Sequence, residues 1–193
     1  MRKEIIISGS GGQGIMFAGT ILCYAGIEEG KFVTFFPSYG AEMRGGTANC
    51  QVIISDEPIG SPVVESPDIL VCFNKQSFDK FLSKTKKKGS VFTNFSLDKN
   101  KTKNLNIIEV PGNDLAEKCG SALVLNLVMM GALAADTEIV MVDSLVNIIP
   151  EMLTAKKKKF WDMNKNAVRC GAEYMIPILH CKNLQFQEVS FQN

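Results

Sequence analysis

A glycine-rich stretch at residues 9–14 (GSGGQG) carries the clearest chemistry in this chain. It follows the apolar run 5–7 (III) and leads into an amphipathic segment, which predicts a strand, a tight turn and the start of a helix. Glycines allow positive φ angles and the close approach of another molecule. The first amides of a helix bind anions, helped by the helix dipole. The stretch therefore predicts a site for a phosphate-bearing ligand, with a purely structural turn as the alternative.

The spacing of these glycines matches the dinucleotide-binding fingerprint, but the partner residue of that fingerprint is missing. The fingerprint expects an acidic residue at the end of the second strand, where it binds the ribose hydroxyls. Here the second strand ends in Phe36-Pro37-Ser38, and Glu28 and Glu29 come too early. No lysine follows the glycines, so a Walker phosphate loop is excluded as well. An NAD(P) site is therefore disfavoured.

A second motif, residues 37–50 (PSYGAEMRGGTANC), comes directly after the second predicted strand. The carboxyl ends of strands are where open α/β sheets bind ligands. Arg44 could form a forked contact with a phosphate or a carboxylate. Glu42 is better suited to steering Arg44, or to pairing across an interface, than to acting as a base. The alternative is a glycine-rich loop with one ion pair and no ligand.

Strand-like and helical segments alternate along most of the chain, and this predicts the α/β class. We expect a single Rossmann-like domain over residues 1–176, with a largely parallel sheet and helices on both faces, followed by a C-terminal tail at 177–193. Pro177 is expected to end the last helix, and Asn113 or Asp114 to cap a short one. The predicted strands are 4–8, 31–36, 48–55, 69–73, 90–95 and 105–110. The predicted helices are 15–29, 75–82, 121–135 and 157–175, with shorter ones beginning near 112 and 143.

Composition narrows the range of functions. The 193 residues carry a net charge of +1, which argues against a general affinity for nucleic acid. The longest apolar run, 122–135, is too short to span a bilayer, and no secretory signal is visible, so we expect a cytoplasmic protein without membrane contact. The six cysteines form no CxxC pair and the chain has one histidine, His180. This spacing favours reduced thiols and predicts no metal site.

Taken together, residues 9–14 and 37–46 closely resemble the γ subunits of 2-oxoacid:ferredoxin (or flavodoxin) oxidoreductases. The resemblance covers residues 3–176, including the spacing to residues 68–71 (DILV) and the region of Asn74. Within the family, the Ser-Tyr-Gly and Arg-Gly-Gly version is more similar to the 2-oxoglutarate type than to the pyruvate type. Indolepyruvate oxidoreductases are a further related branch.

The resemblance implies a reaction that converts a 2-oxoacid, coenzyme A and an oxidised carrier into acyl-CoA, carbon dioxide and reduced carrier. It also implies thiamine diphosphate, Mg²⁺ and iron–sulfur clusters. This chain lacks the Gly-Asp-Gly…Asn thiamine signature and the usual cluster cysteines. We therefore expect no catalytic residue in this chain and no activity when it is isolated. The expected partners are α, β and ferredoxin-like δ subunits, with ferredoxin or flavodoxin as acceptor; the isolated chain is expected to form a homodimer.

For this subunit the resemblance implies a role in assembly and in binding coenzyme A. Two other functions stay open: a free-standing nucleotide-dependent enzyme, and an assembly subunit without a ligand. Against the first, the chain shows no Tyr-x-x-x-Lys spacing and its histidine is near the end. The residues assigned to coenzyme A by motif position and polarity are Gly9, Gly11, Gly12, Gln13, Gly14, Ser38, Tyr39, Arg44, Gly45, Gly46 and Asn74.

Overall fold

The computed structural model describes residues 1–38, 47–96, 105–153 and 155–190, with the backbone alone for 155–157 and 181–190. Strands and helices alternate over most of this part of the chain. The strands are β1 (Arg2–Ser10), β2 (Phe32–Ser38), β3 (Thr47–Ser55), β4 (Ile69–Cys72), β5 (Ser90–Thr93) and β6 (Asn106–Glu109). The helices are α1 (Ile15–Glu28), α2 (Lys75–Phe81), α3 (Gly112–Lys118), α4 (Leu125–Thr137), α5 (Val142–Met152) and α6 (Trp161–Ser190), with short 3₁₀ turns before α4 and α6 and after α2.

The described strands form one mixed, mostly parallel sheet in the order β2-β3-β1-β4-β5-β6. The pairs β1–β4, β4–β5 and β5–β6 are parallel. Strand β3 runs antiparallel to both of its neighbours, β1 and β2. The predicted α/β class and largely parallel sheet are confirmed, with β3 as the reversed strand.

Helices cover both faces of the sheet. Side chains alternate between the two faces along a strand, and the central strands carry apolar side chains on both, so both faces must be buried. Ile5 and Ile7 pack with the helices α1, α3, α4, α5 and α6, whereas Ile6 packs on the other side with α2. Helices α4 and α6 cross at Gly131 and Gly171, where each glycine lies against the backbone of the other helix. This crossing is the closest helix contact among the described glycines.

Pro37 and Pro177 lie inside a strand and a helix that were predicted to end before them, at residues 36 and 175. Pro37 lies inside β2, which as an edge strand can accept a residue without an N–H. Pro177 lies inside α6, which continues to Ser190. Beyond Pro177, Ile178 and Leu179 still pack against the core, and this burial offsets the hydrogen bond that a proline removes.

The other element boundaries shift by a few residues, and one cap was also predicted wrongly. The residue that caps α3 is Pro111, with no side-chain hydrogen bond, rather than Asn113 or Asp114. Instead, the Asn113 amide donates to Oδ1 of Asn94 at 3.0 Å. None of the helices in the described part of the chain combines the length and apolar character needed to cross a membrane.

A partly buried ion pair ties the end of α1 to the start of α5. Glu29 accepts hydrogen bonds from the Met141 amide at 2.6 Å and from Nζ of Lys31 at 3.2 Å. Lys31 Nζ also donates to the Ile139 carbonyl at 2.6 Å. Burial acts to raise the pKa of Glu29, but hydrogen bonds from Met141, Ser144 and Lys31, together with the Lys31 charge, hold it below its usual 4.5. The pair therefore stabilises the fold when Glu29 is ionised.

Replacing Glu29 by glutamine is expected to lower the free energy of unfolding at neutral pH by about 2 kcal/mol, because it removes charged hydrogen bonds at a side chain only 10% exposed. A lowered pKa stabilises the fold at pH values above the pKa of the unfolded chain. The advantage of the wild type should therefore be full above about pH 4.5 and disappear as the pH falls below it. Thermal unfolding of both proteins between pH 3 and 7 measures this.

The matched control is Glu28→Gln, which removes the same charge from an exposed neighbouring residue. Its effect should stay within about 0.5 kcal/mol at every pH. A Glu29→Gln protein as stable as this control at pH 7 would contradict the stabilising role of the ion pair.

Candidate functional site

The glycine loop, residues 9–14, joins the carboxyl end of β1 to the start of α1. Gly12 and Gly14 have φ angles of 88° and 72°, which side chains rarely tolerate. Gly14 is the N-cap of α1 and provides no side-chain cap, and the first turn of the helix contains no acidic residue. Gly11 and Gly12 are exposed, and a Cβ added to either would meet no atom within 4 Å. The loop thus presents its backbone to the space above the sheet.

The loop is held in this shape by its own side chain and by the core. Oε1 of Gln13 accepts a hydrogen bond from the Ser10 amide at 2.7 Å, and the Gln13 amide donates back to the Ser10 carbonyl at 3.3 Å. Gly9 is buried, and a Cβ there would lie 2.7 Å from Ile15 and 2.9 Å from Phe73. Gly9 therefore serves close packing beneath the loop, while Gln13 fixes the loop and keeps its Nε2 group as a donor.

Asn126 holds the glycine loop from the side of α4, and it is not among the predicted site residues. It is 5% exposed, and its Nδ2 donates to the Gly14 carbonyl at 3.3 Å. A Cβ on Gly14 would collide with the same amide group. The available signal was a single asparagine within the apolar run 122–135, because a buried amide must find hydrogen-bond partners.

Asn74 connects the ends of β1 and β4. Its Oδ1 accepts from the Ser77 amide at 2.8 Å and so caps α2, and its Nδ2 donates to Oγ of Ser10 at 2.8 Å. Both polar ends of the side chain are thus engaged within the protein. Asn74 lies beside the glycine loop as expected, and contact with a ligand through this residue stays a prediction.

The second motif begins and ends at the same edge of the sheet as the glycine loop. Ser38 ends β2 and pairs with Asn49, while Thr47 begins β3 and pairs with Ser10. Nζ of Lys80, which is not among the predicted site residues, donates to Oγ1 of Thr47 at 3.1 Å. The predicted site residues Tyr39, Arg44, Gly45 and Gly46, and also Glu42, lie outside the described residues.

The order of the strands differs from that of the dinucleotide-binding fold. The antiparallel strand β3 lies between β1 and β2, so the end of β2 is two strand spacings, about 10 Å, from the end of β1. In the dinucleotide-binding fold the acidic residue that binds the ribose stands on the neighbouring parallel strand. The end of β2 is therefore unsuited to ribose binding, because it has no acidic residue and because β3 separates it from β1.

The buried thiols of Cys23, Cys50 and Cys72 have little nucleophilic character. Burial raises the pKa of Cys23 and, with the nearby Cys23 thiol adding to it, that of Cys50 to about 12. Burial also raises the pKa of Cys72. These thiols stay protonated near neutral pH. Only the thiolate form acts as a nucleophile or as a metal ligand. The described residues contain no group of three or more His, Cys, Asp or Glu side chains placed to hold a metal ion.

Comparison with known proteins identifies the family of the chain. The sequence pattern of the pyruvate ferredoxin/flavodoxin oxidoreductase family matches residues 4–174. The chain belongs to this family. The resemblance to γ subunits inferred from the two motifs is thereby confirmed.

Family relatives carry several different substrate names. The chain is 42% identical to the 2-oxoglutarate synthase subunit KorC of Methanocaldococcus jannaschii, over 77% of the chain and 82% of KorC. It is 35% identical to the pyruvate synthase subunit PorC of Methanothermobacter marburgensis, over 89% and 97%. It is 34% identical to the ketoisovalerate oxidoreductase subunit VorA of the same organism, over 89% of the chain and 36% of VorA. The chain thus spans about a third of VorA and most of the other two.

Solved structures share the fold. The γ subunit of a keto/oxoacid ferredoxin oxidoreductase from Geobacter sulfurreducens superposes with a TM-score of 0.73 at 29% identity, covering 89% of this chain and 96% of that one. A 2-oxoglutarate:ferredoxin oxidoreductase from Magnetococcus marinus gives a TM-score of 0.80 at 23% identity, covering 90% of this chain and 31% of that one. The second likeness is one of fold.

Proposed function

We propose that this chain is the γ subunit of a CoA-acylating 2-oxoacid oxidoreductase and that its glycine loop binds the phosphates of coenzyme A. The observation that carries the proposal is the exposed loop with positive φ at Gly12 and Gly14, above a helix start that no side chain caps. Consecutive backbone amides in such a turn form a concave anion site. The geometry of the loop and the membership of the family support coenzyme A as the ligand.

Coenzyme A carries a diphosphate and a 3′-phosphate, so it needs both backbone donors and a cation. The amides at the start of α1 would receive the diphosphate, with the helix dipole contributing about 1 kcal/mol. Gln13 Nε2 would add a neutral donor. Arg44, which lies between Ser38 and Thr47 in the sequence, would add the charge and a forked contact.

The oxoacid is proposed to be 2-oxoglutarate. Support comes from the KorC relatives, at 42%, 37% and 36% identity, which are named 2-oxoglutarate synthase subunits. The Magnetococcus marinus enzyme was solved with 2-oxoglutarate, coenzyme A and succinyl-CoA bound. Thiamine diphosphate, Mg²⁺ and an iron–sulfur cluster would lie in the α, β and δ partner subunits, where oxoacid selectivity would also reside. Electrons would leave to ferredoxin or flavodoxin.

Replacing Arg44 by alanine is expected to raise the KM for coenzyme A about tenfold, because one charge-assisted contact contributes at least about 1.5 kcal/mol. The KM for the oxoacid should not change, since that substrate reacts in the partner subunits. The complex, captured anaerobically through a tag on this chain, is assayed with 2-oxoglutarate, pyruvate, 2-oxoisovalerate and indolepyruvate. The highest kcat/KM is expected with 2-oxoglutarate.

Arg169→Ala is the matched control, because Arg169 is exposed on α6. It should leave the KM for coenzyme A unchanged, and Arg44→Lys should give an intermediate value because the charge stays and the fork is lost. Unchanged coenzyme A kinetics and assembly in Arg44→Ala would contradict the proposed role. Recovery of the tagged chain alone would contradict the subunit assignment itself.

A further inference from the structure

Strand β2 (residues 32–38, FVTFFPS) forms one edge of the sheet and has β3 as its sole strand neighbour among the described residues. The strand carries no charged side chain, although edge strands are commonly protected by charge. None of its residues is fully buried, and Phe32 and Phe36 are 48% and 42% exposed. An uncharged, apolar edge of this length can pair with another strand.

The ladder shows which backbone groups of β2 point outward. The Asp56 amide donates to the Met1 carbonyl at 2.9 Å, so even-numbered residues of β3 bond to β1 and odd-numbered ones bond to β2. In the β2–β3 register, these odd-numbered residues pair with the even-numbered residues of β2. The N–H and C=O groups of Val33 and Phe35 therefore point to the open edge. Pro37, which has no N–H, falls in the same outward-facing row.

The side chains of β2 form two different rows. Val33 and Phe35 point toward α1, where a Cβ on Gly26 or Gly19 would lie 2.9 or 2.8 Å from them. Phe32, Thr34 and Phe36 form the opposite row, since side chains alternate along a strand. The segment reads Phe-Val-Thr-Phe-Phe, with a phenylalanine two residues to either side of Thr34. The row that faces away from α1 is therefore nearly the same in both directions along the strand.

We propose that β2 is a dimerisation edge that pairs antiparallel with β2 of a second copy of this chain, about a two-fold axis at Thr34. In this register Val33 of one copy faces Phe35 of the other, and each exchanges both of its backbone hydrogen bonds. Phe32 then lies opposite Phe36, a cross-strand aromatic pair on the row that faces away from α1. The result is one continuous sheet through both copies.

The two neighbouring registers, centred on Val33 and on Phe35, form fewer hydrogen bonds between the two strands. A shift that centres on Val33 places the Phe35 carbonyl opposite Lys31, whose amide already donates to the Gly26 carbonyl at 2.9 Å. A shift that centres on Phe35 places the Val33 carbonyl opposite Pro37, which has no donor. The Thr34-centred register alone uses every outward N–H and C=O of Val33 and Phe35. Self-complementarity thus selects a second copy as the occupant.

Sedimentation equilibrium of the purified full chain is the first test. The wild type is expected at twice the 21.2 kDa mass of one chain. Phe32→Lys/Phe36→Lys should be folded and monomeric at the same concentration, because two like charges would meet across the axis. Leu123→Lys, at an 82% exposed leucine away from β2, should stay dimeric. A monomeric wild type, or a dimer that survives the first variant or is lost in the second, would overturn the proposal.

Cross-linking tests the register without adding charge to the edge strand. Thr34→Cys should form a covalent dimer on mild oxidation, because directly opposed residues in a non-hydrogen-bonded pair meet disulfide geometry. Phe32→Cys alone should behave like the wild type, while Phe32→Cys/Phe36→Cys should cross-link. Covalent dimers from Phe32→Cys but none from Thr34→Cys would overturn the register. This result is independent of coenzyme A binding and therefore of the proposed function.

Discussion

Replacing Gly131 by alanine is expected to lower the free energy of unfolding by about 3 kcal/mol, the upper part of the range for overpacked interiors. A Cβ on Gly131 would overlap the Val168 carbonyl, and one on Gly171 would overlap the Val128 carbonyl. Because the obstructing atoms are backbone, no change of rotamer can relieve the overlap. The two helices would have to move apart, and the buried apolar surface between them would be lost.

The expected loss of stability is opposite in sign to the usual effect of replacing glycine by alanine in a helix. In an open helix, exchanging glycine for alanine stabilises the helix by about 1 kcal/mol. Gly60→Ala, where a Cβ would meet no atom within 4 Å, is the control and should leave stability within about 0.5 kcal/mol. Urea and thermal unfolding of Gly131→Ala, Gly171→Ala and Gly60→Ala measure the difference. Equal stability of all three would mean that α4 and α6 are not in close contact.

Replacing Gly14 by alanine is expected to lower kcat/KM for coenzyme A about a hundredfold in the assembled complex, the loss that follows when binding groups are displaced by about 1 Å. Two effects combine at this residue. Its φ of 72° costs a side chain about 1 kcal/mol, and the new Cβ would collide with the Asn126 amide. The loop must shift, and the amides at the start of α1 shift with it. Steady-state kinetics with coenzyme A as the varied substrate checks this.

A double variant separates the two effects. Gly14→Ala/Asn126→Ala removes the collision and keeps the strained φ, so it should recover part of the lost kcat/KM. The KM for the oxoacid serves as the internal control and should not change. Normal coenzyme A kinetics in a correctly assembled Gly14→Ala complex would contradict a phosphate site at the glycine loop.

Most of the fold could be predicted because the residues that form it act locally. Residues 5–7 form a buried strand because three isoleucines fill both faces of the sheet, and the glycine turn follows from the conformations that Gly12 and Gly14 require. Pro177 misled the prediction because its local preference is outweighed by the burial of Ile178 and Leu179. That burial depends on distant parts of the chain.

The reversal of β3 could have been inferred. Eight residues separate Ser38 from Thr47, too few for the crossover that parallel strands require. The roles of Asn126 and Lys80 could not be inferred in the same way. Both depend on which parts of the helices the tertiary fold brings to the carboxyl ends of the strands, since Asn126 is near the start of α4 and Lys80 is in the last turn of α2. Spacing along the sequence does not contain that information. A lysine on a helix is usually solvated, so the residue type of Lys80 gave no signal. The asparagine within the apolar run 122–135 indicated a buried amide but not its partner, the Gly14 carbonyl.

The reversed strand β3 also bears on how members of this family can diverge. Because β2 and β3 pair directly and continuously, the sheet fixes both ends of the connection between Ser38 and Thr47 whatever residues lie between them. We expect substitutions, insertions and deletions in that connection to leave the register of the sheet intact, because it is specified by seven paired residues whose side chains on one face pack against α1. New recognition properties can therefore arise there by mutation while the inherited scaffold keeps its stability, which separates the evolution of specificity from the evolution of the fold.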